Sequence, residues 1–234
     1  IETKVAETAL AIQDGADDFP LQYFFDVRDA IKRIRLENTH LEESELFDLR
    51  RSLQTINDIV RYLNRAEDKG EDVDPAPLYP ALYRLTQDVA TYPQLVQGID
   101  QILDKFGHIR DNASPELLNI RRELARAESS VSKTLYSILR SAQSEGLVDK
   151  DVTPTLRDGR LVIPVMPGMK RKISGIVHDE SATGKTVFIE PSEVVEANNR
   201  IRELESEERH EIIRILTTFT NKVRPHSRDI LESY

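Results

Sequence analysis

The residues with the clearest chemical potential are cations in the stretch from Arg157 to Pro191. Lys170-Arg171-Lys172 follows a Pro-Gly turn, and Lys185 lies in a loop of small residues. Cations held in this way bind phosphates and position a nucleic acid without reading its bases. The competing interpretation is a solvated turn, because Lys and Arg are usually exposed. The candidate nucleic-acid-binding residues are Arg160, Lys170, Arg171, Lys172 and Lys185.

The charge distribution supports binding of a polyanion at this stretch. The chain of 234 residues carries a net charge of −9. Residues 157–185 contain six cations and three carboxylates, so the stretch carries +3 and the remainder of the chain carries −12. A positive segment on an acidic body orients an approaching polyanion toward that segment.

Thr183-Gly184-Lys185-Thr186 imitates the end of a nucleotide-binding P-loop, but the rest of the motif is missing. The motif needs a glycine five positions before Gly184, and Asp179 stands there. A carboxylate at that place would repel the phosphates. Residues 187–189 also predict a strand where the motif requires a helix. We therefore expect no cofactor site within the chain.

The acidic and histidine residues do not form a recognisable metal or acid–base site. His178-Asp179-Glu180 has no second His at ligand spacing, and three consecutive side chains do not converge on one ion. No nucleophile motif accompanies them. Asn198-Asn199 is interpreted as helix surface in preference to a polar contact with the stretch 157–191, and Glu207-Glu208 as a solvated helix face. We predict no catalytic residue, no metal site and no enzymatic activity in this chain.

Composition excludes several classes of protein. The chain has no Cys, which excludes disulfides and thiolate metal sites and is compatible with a reducing cytoplasm. No apolar run approaches the roughly 18–20 residues of a membrane span, and no signal-peptide pattern begins the chain. Trp is absent and aromatic residues make up 6%, so there is little material for base stacking. These features predict a cytoplasmic protein without a membrane partner.

The first half of the chain has helical periodicity. Its longest helix starts at a capping box of Thr39 and Glu42, or nearer Ser44. Residues 69–77 read as a polar linker, and Pro93 is expected to stop the helix before it. The apolar spacing predicts helices over residues 1–14, 25–36, 46–63, 78–90 and 95–103.

Two longer helices follow. Ser114 as N-cap and Pro115 at the first helical position start a helix that ends at Gly146, about 45 Å long. The second returns over residues 192–222. Glu208 interrupts its apolar stripe, either as a break in register or as an exposed turn, and we favour the exposed turn. Such stripes are typical of two helices packed mainly on each other. The seam residues are Leu117, Ile120, Leu124, Ala127, Val131, Leu135, Ile138 and Ala142 in the first helix, and Val194, Ala197, Ile201, Leu204, Ile212, Ile215 and Phe219 in the second.

Alternating apolar residues between these helices predict three short strands, around Ile163, Val177 and Ile189. Pro164 lacks an N–H and predicts an edge or a bulge. Pro167-Gly168 predicts a turn. So small a sheet must lean on the helix ends. The fold class is therefore mainly α with a small antiparallel β insertion.

This region resembles a known family. The segment GRLVIPVMPGMKRKISGIVHDESATGKTVFIEP is similar to the clamp segment of the MutS family of DNA-processing ATPases. It most resembles the second, MutS-two branch, which suppresses recombination. The specific part of the resemblance covers about residues 114–216.

The resemblance implies a domain organisation and partners. It implies a helical core over 1–113, a first lever helix over 114–149, a β clamp over 150–191 and a second lever helix over 192–234. The chain would be a fragment of a homodimeric ATPase that uses ATP and Mg and also carries a nuclease domain. The five cations would contact branched or duplex DNA, or structured RNA of stalled ribosomes.

A rival interpretation makes the helical hairpin a coiled-coil arm that docks a protein partner without nucleic acid contact. Seam residues of such an arm should be partly unsatisfied in the monomer, and its association should depend little on salt.

Overall fold

The computed structural model of the chain describes residues 2–14, 19–20, 23–67 and 76–234. Within these residues lie eight α-helices and six strands. The helices are α1 (Glu2–Asp14), α2 (Arg28–Arg33), α3 (Glu43–Leu63), α4 (Pro80–Thr86), α5 (Pro93–Ile102), α6 (Pro115–Ser144), α7 (Val195–Val223) and α8 (Ser227–Ser233). The strands are β1 (Ala66–Glu67), β2 (Ala76–Pro77), β3 (Thr155–Arg157), β4 (Arg160–Val165), β5 (Gly175–Glu180) and β6 (Val187–Pro191).

The start of α3 differs from the predicted capping box. Glu42 is the N-cap residue, and it exchanges hydrogen bonds with Glu45 in the capping-box arrangement. The Thr39 hydroxyl instead donates to the carbonyls of Arg33 and Leu36, at 3.2 and 2.7 Å, just after α2. The start nearer Ser44 is therefore confirmed and the Thr39 cap is wrong, because the Thr39 hydroxyl bonds to carbonyls of the preceding helix and turn and not to an amide of α3.

Two helices of the first half are shorter than predicted, and Pro93 begins a helix where it was predicted to end one. α2 and α4 are shorter than the predicted helices over 25–36 and 78–90. Pro93 occupies the first turn of α5, where its missing N–H leaves no carbonyl unpaired. Most of the predicted linker over 69–77 lies outside the described residues, but β2 at its end pairs with β1.

The chain divides into two compact units, residues 1–113 with 212–234, and residues 114–211. In the first unit, residues from the end of the chain complete the fold. The Leu41 amide donates to the Thr220 hydroxyl at 2.9 Å. The ring of Phe219 packs so closely on Gly98 that a Cβ there would lie 2.7 Å from it. Ile31, Leu46, Leu49, Leu53 and Ile99 are at most 1% exposed in this core.

In the second unit the start of α6 is capped as predicted. The Ser114 hydroxyl accepts from the Leu117 amide at 3.0 Å and donates to the buried Glu211 carboxylate at 2.5 Å. α6 and α7 are antiparallel, since Arg121 pairs with Glu208 at 2.7 Å. Glu208 is 23% exposed. Its assignment to an exposed turn was wrong, because the ion pair holds the carboxylate against α6.

The two helical seams are satisfied within this unit. Leu139 is buried where the sequence favoured Ile138, which is partly buried against the same core. Leu124, Ala127 and Ala197 are also only partly buried. The predicted seam residues of this unit that are at most 6% exposed are Leu117, Ile120, Val131, Leu135, Ala142, Val194, Ile201 and Leu204.

The sheet of the second unit has four antiparallel strands in the order β3-β4-β6-β5. Ile163 pairs with Ile189, and both belong to a core shared with Leu135 and Leu139 of α6. The sheet thus leans on the helices, as its size requires. The sequence predicted β4, β5 and β6 but missed β3.

The signal for the missed strand is a two-residue turn. Asp158 and Gly159 have φ values of 49° and 72°, and Arg157 pairs with Arg160 across them. An Asp-Gly pair with both φ values positive is typical of the tightest β-hairpin. That dipeptide could have located β3 from the sequence.

Candidate nucleic-acid interface

Four of the five candidate cations lie in two loops of the four-stranded sheet. Lys170, Arg171 and Lys172 are in the loop between β4 and β5, after a turn of 3-10 helix at Pro167–Met169. Lys185 is in the loop between β5 and β6. All four side chains are exposed. We call residues 166–174 and 181–186 the basic loops.

The loop that carries Lys185 is held by its own backbone. The Ser181 amide donates to the Thr186 carbonyl at 2.8 Å, and the Gly184 amide to the Ser181 carbonyl at 2.7 Å. Gly184 has a φ of 64°, which favours glycine. β6 follows directly, so the predicted strand over 187–189 is confirmed. Lys185 is therefore presented by an ordered hairpin turn.

The pairing of the strands places the cations of the two basic loops near different ends of β6. Val187, two residues after Lys185, pairs with Val165 at the end of β4. Gly175, which follows Lys172 closely, pairs with Pro191 at the other end of β6. These ends are roughly 13 Å apart along an extended strand. Lys172 and Lys185 therefore lie near opposite ends of β6 and do not form one cluster.

Lys172 also differs in its surroundings. It lines a shallow groove together with the carboxylates of Glu145 and Glu193. Carboxylates in the same groove offset part of its positive charge. Lys170, Arg171 and Lys185 do not line that groove, so we expect them to dominate the local field.

Arg160 is held inside the second unit. Its Nη1 lies 2.7 Å from Glu190 Oε1 and its Nη2 lies 2.6 Å from Asn199 Oδ1. Its side chain is only 15% exposed. These contacts favour a structural role, and we leave Arg160 out of the interface proposed below.

Glu190 is the centre of a buried polar network that the sequence did not indicate. Its carboxylate is fully buried and accepts hydrogen bonds from Arg160, from Asn198 at 2.8 Å and from His178 Nε2. Burial alone would raise the pKa of Glu190. The bonds from Asn198, His178 and Arg160 together outweigh burial and hold that pKa below its usual value.

The network corrects one prediction about α7. The assignment to helix surface was wrong for Asn198, where the alternative of a polar contact is confirmed. It was correct for Asn199, which is exposed on α7 and also makes a polar contact. Asn198 is 2% exposed and also donates to the Leu161 carbonyl at 3.3 Å. Asn199 accepts from Arg160. The sequence signal for this network was Glu190, the one carboxylate in the otherwise apolar strand 187–191, because a buried charge requires partners.

His178 lies where β5 is irregular. A β-bulge between Val177 and Asp179 shifts the register of β5 against β6. Bulges re-aim side chains, and His178 contacts Glu190 across the two strands. In the part of the chain that the structure describes, no group of three or more His, Asp or Glu side chains is arranged to hold a metal ion.

The chain has relatives among known proteins, although no protein-family model matches it. Over 232 residues it is 34% identical to a protein named Endonuclease MutS2 from Geobacillus sp. (strain WCH70), covering 99% of the chain and 28% of that protein. Proteins of the same name from Lacticaseibacillus paracasei and Enterococcus faecalis are 34% and 32% identical, covering 98% and 96% of the chain and 28% and 27% of those proteins.

The resemblance to the MutS family is therefore confirmed along nearly the whole chain. Within that family, the chain is homologous to a segment of the MutS2 endonucleases. It spans about 28% of the length of the Geobacillus relative. Among the described residues, no helix is long and apolar enough to cross a membrane.

Proposed function

We propose that this chain is the core, lever and clamp part of a MutS2-type protein, and that its basic loops grip nucleic acid. The observation that carries the proposal is the set of exposed cations Lys170, Arg171, Lys172 and Lys185 on the basic loops of a chain with a net charge of −9. Four cations on ordered loops bind phosphates without selecting a base sequence. Homology to MutS2 endonucleases supports a nucleic acid as the polyanion.

In this proposal the helices α6 and α7 carry the sheet as a stiff arm. They are 30 and 29 residues long, and Arg121–Glu208 joins them in antiparallel orientation. Helices that move as one body suit transmission of a nucleotide state to a distant contact. The state would come from an ATPase domain of the longer homodimeric protein, which binds ATP and Mg. The proposed substrates are branched or duplex DNA, with suppression of recombination, or ribosomal RNA in stalled ribosomes.

We assign no catalytic step to the chain itself. Strand cleavage is proposed for a part of the longer protein, because its relatives are named endonucleases. ATP hydrolysis is proposed for another part, because the resemblance to the MutS family of ATPases implies it. The contribution of this chain is binding and the positioning of the basic loops.

The test is fluorescence anisotropy of the chain with duplex, four-way-junction and hairpin-RNA probes over a salt series. Three or four cations that each neutralise one phosphate should give a slope of log K against log salt between about −2.7 and about −3.6. Reversal of Lys170, Arg171, Lys172 and Lys185 to Glu should abolish this dependence and weaken binding.

A charge-matched variant provides the control. Reversal of four exposed cations of the first unit changes the net charge by the same amount without touching the basic loops; these are Arg35, Arg61, Arg84 and Lys222. Binding that falls equally in both variants would show a general charge effect and would contradict the proposal.

The rival docking-arm function finds less support. It required partly unsatisfied seam residues. Eight seam residues of the second unit are at most 6% exposed, and the four that are partly buried already pack against its core. An arm whose apolar seam is already buried offers a protein partner mainly its polar faces.

A further inference from the structure

A cleft in the first unit is separate from the basic loops and has no role in the function proposed above. It lies between α3 and the end of α5 and encloses about 720 Å³, a typical size for a binding site. Aromatic rings and cations dominate its lining. The lining residues are Tyr23, Phe47, Arg50, Arg51, Asp100, Asp104, Lys105, Phe106 and Arg110.

One wall of the cleft is a locked turn that exposes an aromatic ring. The Asp104 carboxylate accepts from the amides of Phe106 and His108, at 2.8 and 2.9 Å, and the Asp104 amide donates to the His108 carbonyl. Phe106 is nevertheless 67% exposed. A large apolar side chain on a preordered turn loses little conformational entropy on binding, which is typical of an interface anchor.

The floor of the cleft is equally ordered. Gly107, with a φ of 89°, packs on the Phe47 ring so closely that a Cβ would lie 2.8 Å from it. The Arg51 guanidinium stacks on Phe47 at 4.4 Å and on Phe25 at 3.8 Å. The site is therefore formed before any ligand arrives.

The charges of the cleft have both signs, with a small positive excess. Arg50 is paired with Asp100 at 2.8 Å. Lys105 lies 4.9 Å from the Phe106 ring, and Arg110 uses its Nε for backbone carbonyls. Among the described residues, neither Lys105 nor Arg110 has a carboxylate within salt-bridge distance. The site can therefore bind one or two carboxylates, and they would lie beside the exposed aromatic ring.

We propose that this cleft is a docking site for a protein segment in which a large apolar side chain lies next to a carboxylate. The apolar group would pack between Phe106 and Phe47, and the carboxylate would meet Lys105 and Arg110. A nucleic acid fits less well, because the small positive excess of the lining, in which Arg50 is already paired with Asp100, suits one or two carboxylates and not a continuous run of phosphates. Aromatic and Arg residues are also those enriched in protein interfaces.

The test uses a phage-displayed library of random 12-residue peptides, selected on the 234-residue chain and counter-selected on its Phe106→Ala variant. We expect enrichment of peptides with an aromatic or large aliphatic residue within two positions of Asp or Glu. A synthetic peptide with that motif should bind the Phe106→Ala variant at least about tenfold more weakly. Leu36→Ala is the control, since Leu36 is also 67% exposed in this unit but lies outside the cleft.

A charge exchange tests whether binding requires the carboxylate of the peptide. Lys105→Glu should weaken the selected peptide, and replacement of the peptide carboxylate by Lys should restore binding to that variant. The proposal is overturned if no peptide is enriched over the Phe106→Ala variant, or if the enriched peptides lack the acidic residue. Binding of single-stranded oligothymidylate that depends on Phe106 would also overturn it, by making the cleft a base-stacking site.

Discussion

At the scale of single residues, the buried carboxylate of Glu190 holds together the polar network of the second unit. A fully buried carboxylate is tolerated only when charged or polar partners surround it. Arg160, His178 and Asn198 supply them from β4, β5 and α7. The network thereby ties two strands and a long helix to the middle strand β6.

Substitution of Glu190 should therefore loosen the sheet. Glu190→Gln removes the negative charge and leaves the Arg160 guanidinium, which is 15% exposed, without its ion pair. We expect the free energy of unfolding to fall by about 3 kcal/mol, measured by urea denaturation. Glu193→Gln, at an exposed position nearby, should change it by less than about 0.5 kcal/mol. An equal loss in both variants would contradict a special role for Glu190.

The same network predicts a pH dependence. The folded chain lowers the pKa of Glu190 below the ordinary 4.5, so the unfolded chain binds the proton more readily. The stabilisation from Glu190 is then complete above about pH 4.5 and is lost as the pH falls through the lowered folded pKa. The difference in thermal stability between the wild type and Glu190→Gln should shrink from pH 6 to pH 3. A difference that grows on acidification would contradict this linkage.

At the scale of elements, the hairpin of β5 and β6 depends on close contact of two backbones. A Cβ on Gly175 would lie 2.2 Å from the Glu190 carbonyl oxygen. Gly175→Ala should therefore force β5 away from β6 and cost about 3 kcal/mol. Gly168 has no atom within 4 Å of its Cβ position, so Gly168→Ala is the matched control. Amide hydrogen exchange of residues 175–191 should rise only in the first variant.

The start of α6 depends on one hydroxyl with two partners. Ser114→Ala removes the acceptor for the Leu117 amide and the donor to buried Glu211. We expect a loss of about 2 kcal/mol in thermal denaturation, from the missing cap and the unsatisfied carboxylate. Ser129→Ala, at an exposed position within α6, should be neutral or slightly stabilising because Ala favours helices. Destabilisation by Ser129→Ala of the same size would show that the cap is not the cause.

At the scale of the whole molecule, two units with their own cores share one chain. The core of the second unit is built from α6, α7 and the sheet, and residues 212–234 belong to the first unit. Local unfolding follows such cooperative units. Hydrogen exchange of Glu190→Gln should therefore rise within residues 114–211, while α3 keeps its protection. Loss of protection in α3 to the same extent would show a single cooperative unit.

The sequence alone determined the features that depend on neighbouring residues. The Ser114 cap, the long seams of α6 and α7, and the positions of β4 and β6 follow from side chains a few positions apart, so local sequence predicts them. The alternation expected in β6 is not observed, because all five of its residues are buried. The same holds for exposure of Lys170, Arg171, Lys172 and Lys185, because charged residues in turns remain solvated. The resemblance to the MutS family also rests on the linear order of residues.

The tertiary structure decided which distant side chains meet. Arg160, His178 and Asn198 reach Glu190 because β4, β5 and α7 all pack against β6, and the contact with Glu190 removed Arg160 from the exposed cations. The cleft beside Phe106 likewise exists because Gly107 packs on Phe47, 60 residues earlier in the chain. Local patterns cannot specify such contacts, since they arise from the packing of elements far apart in sequence.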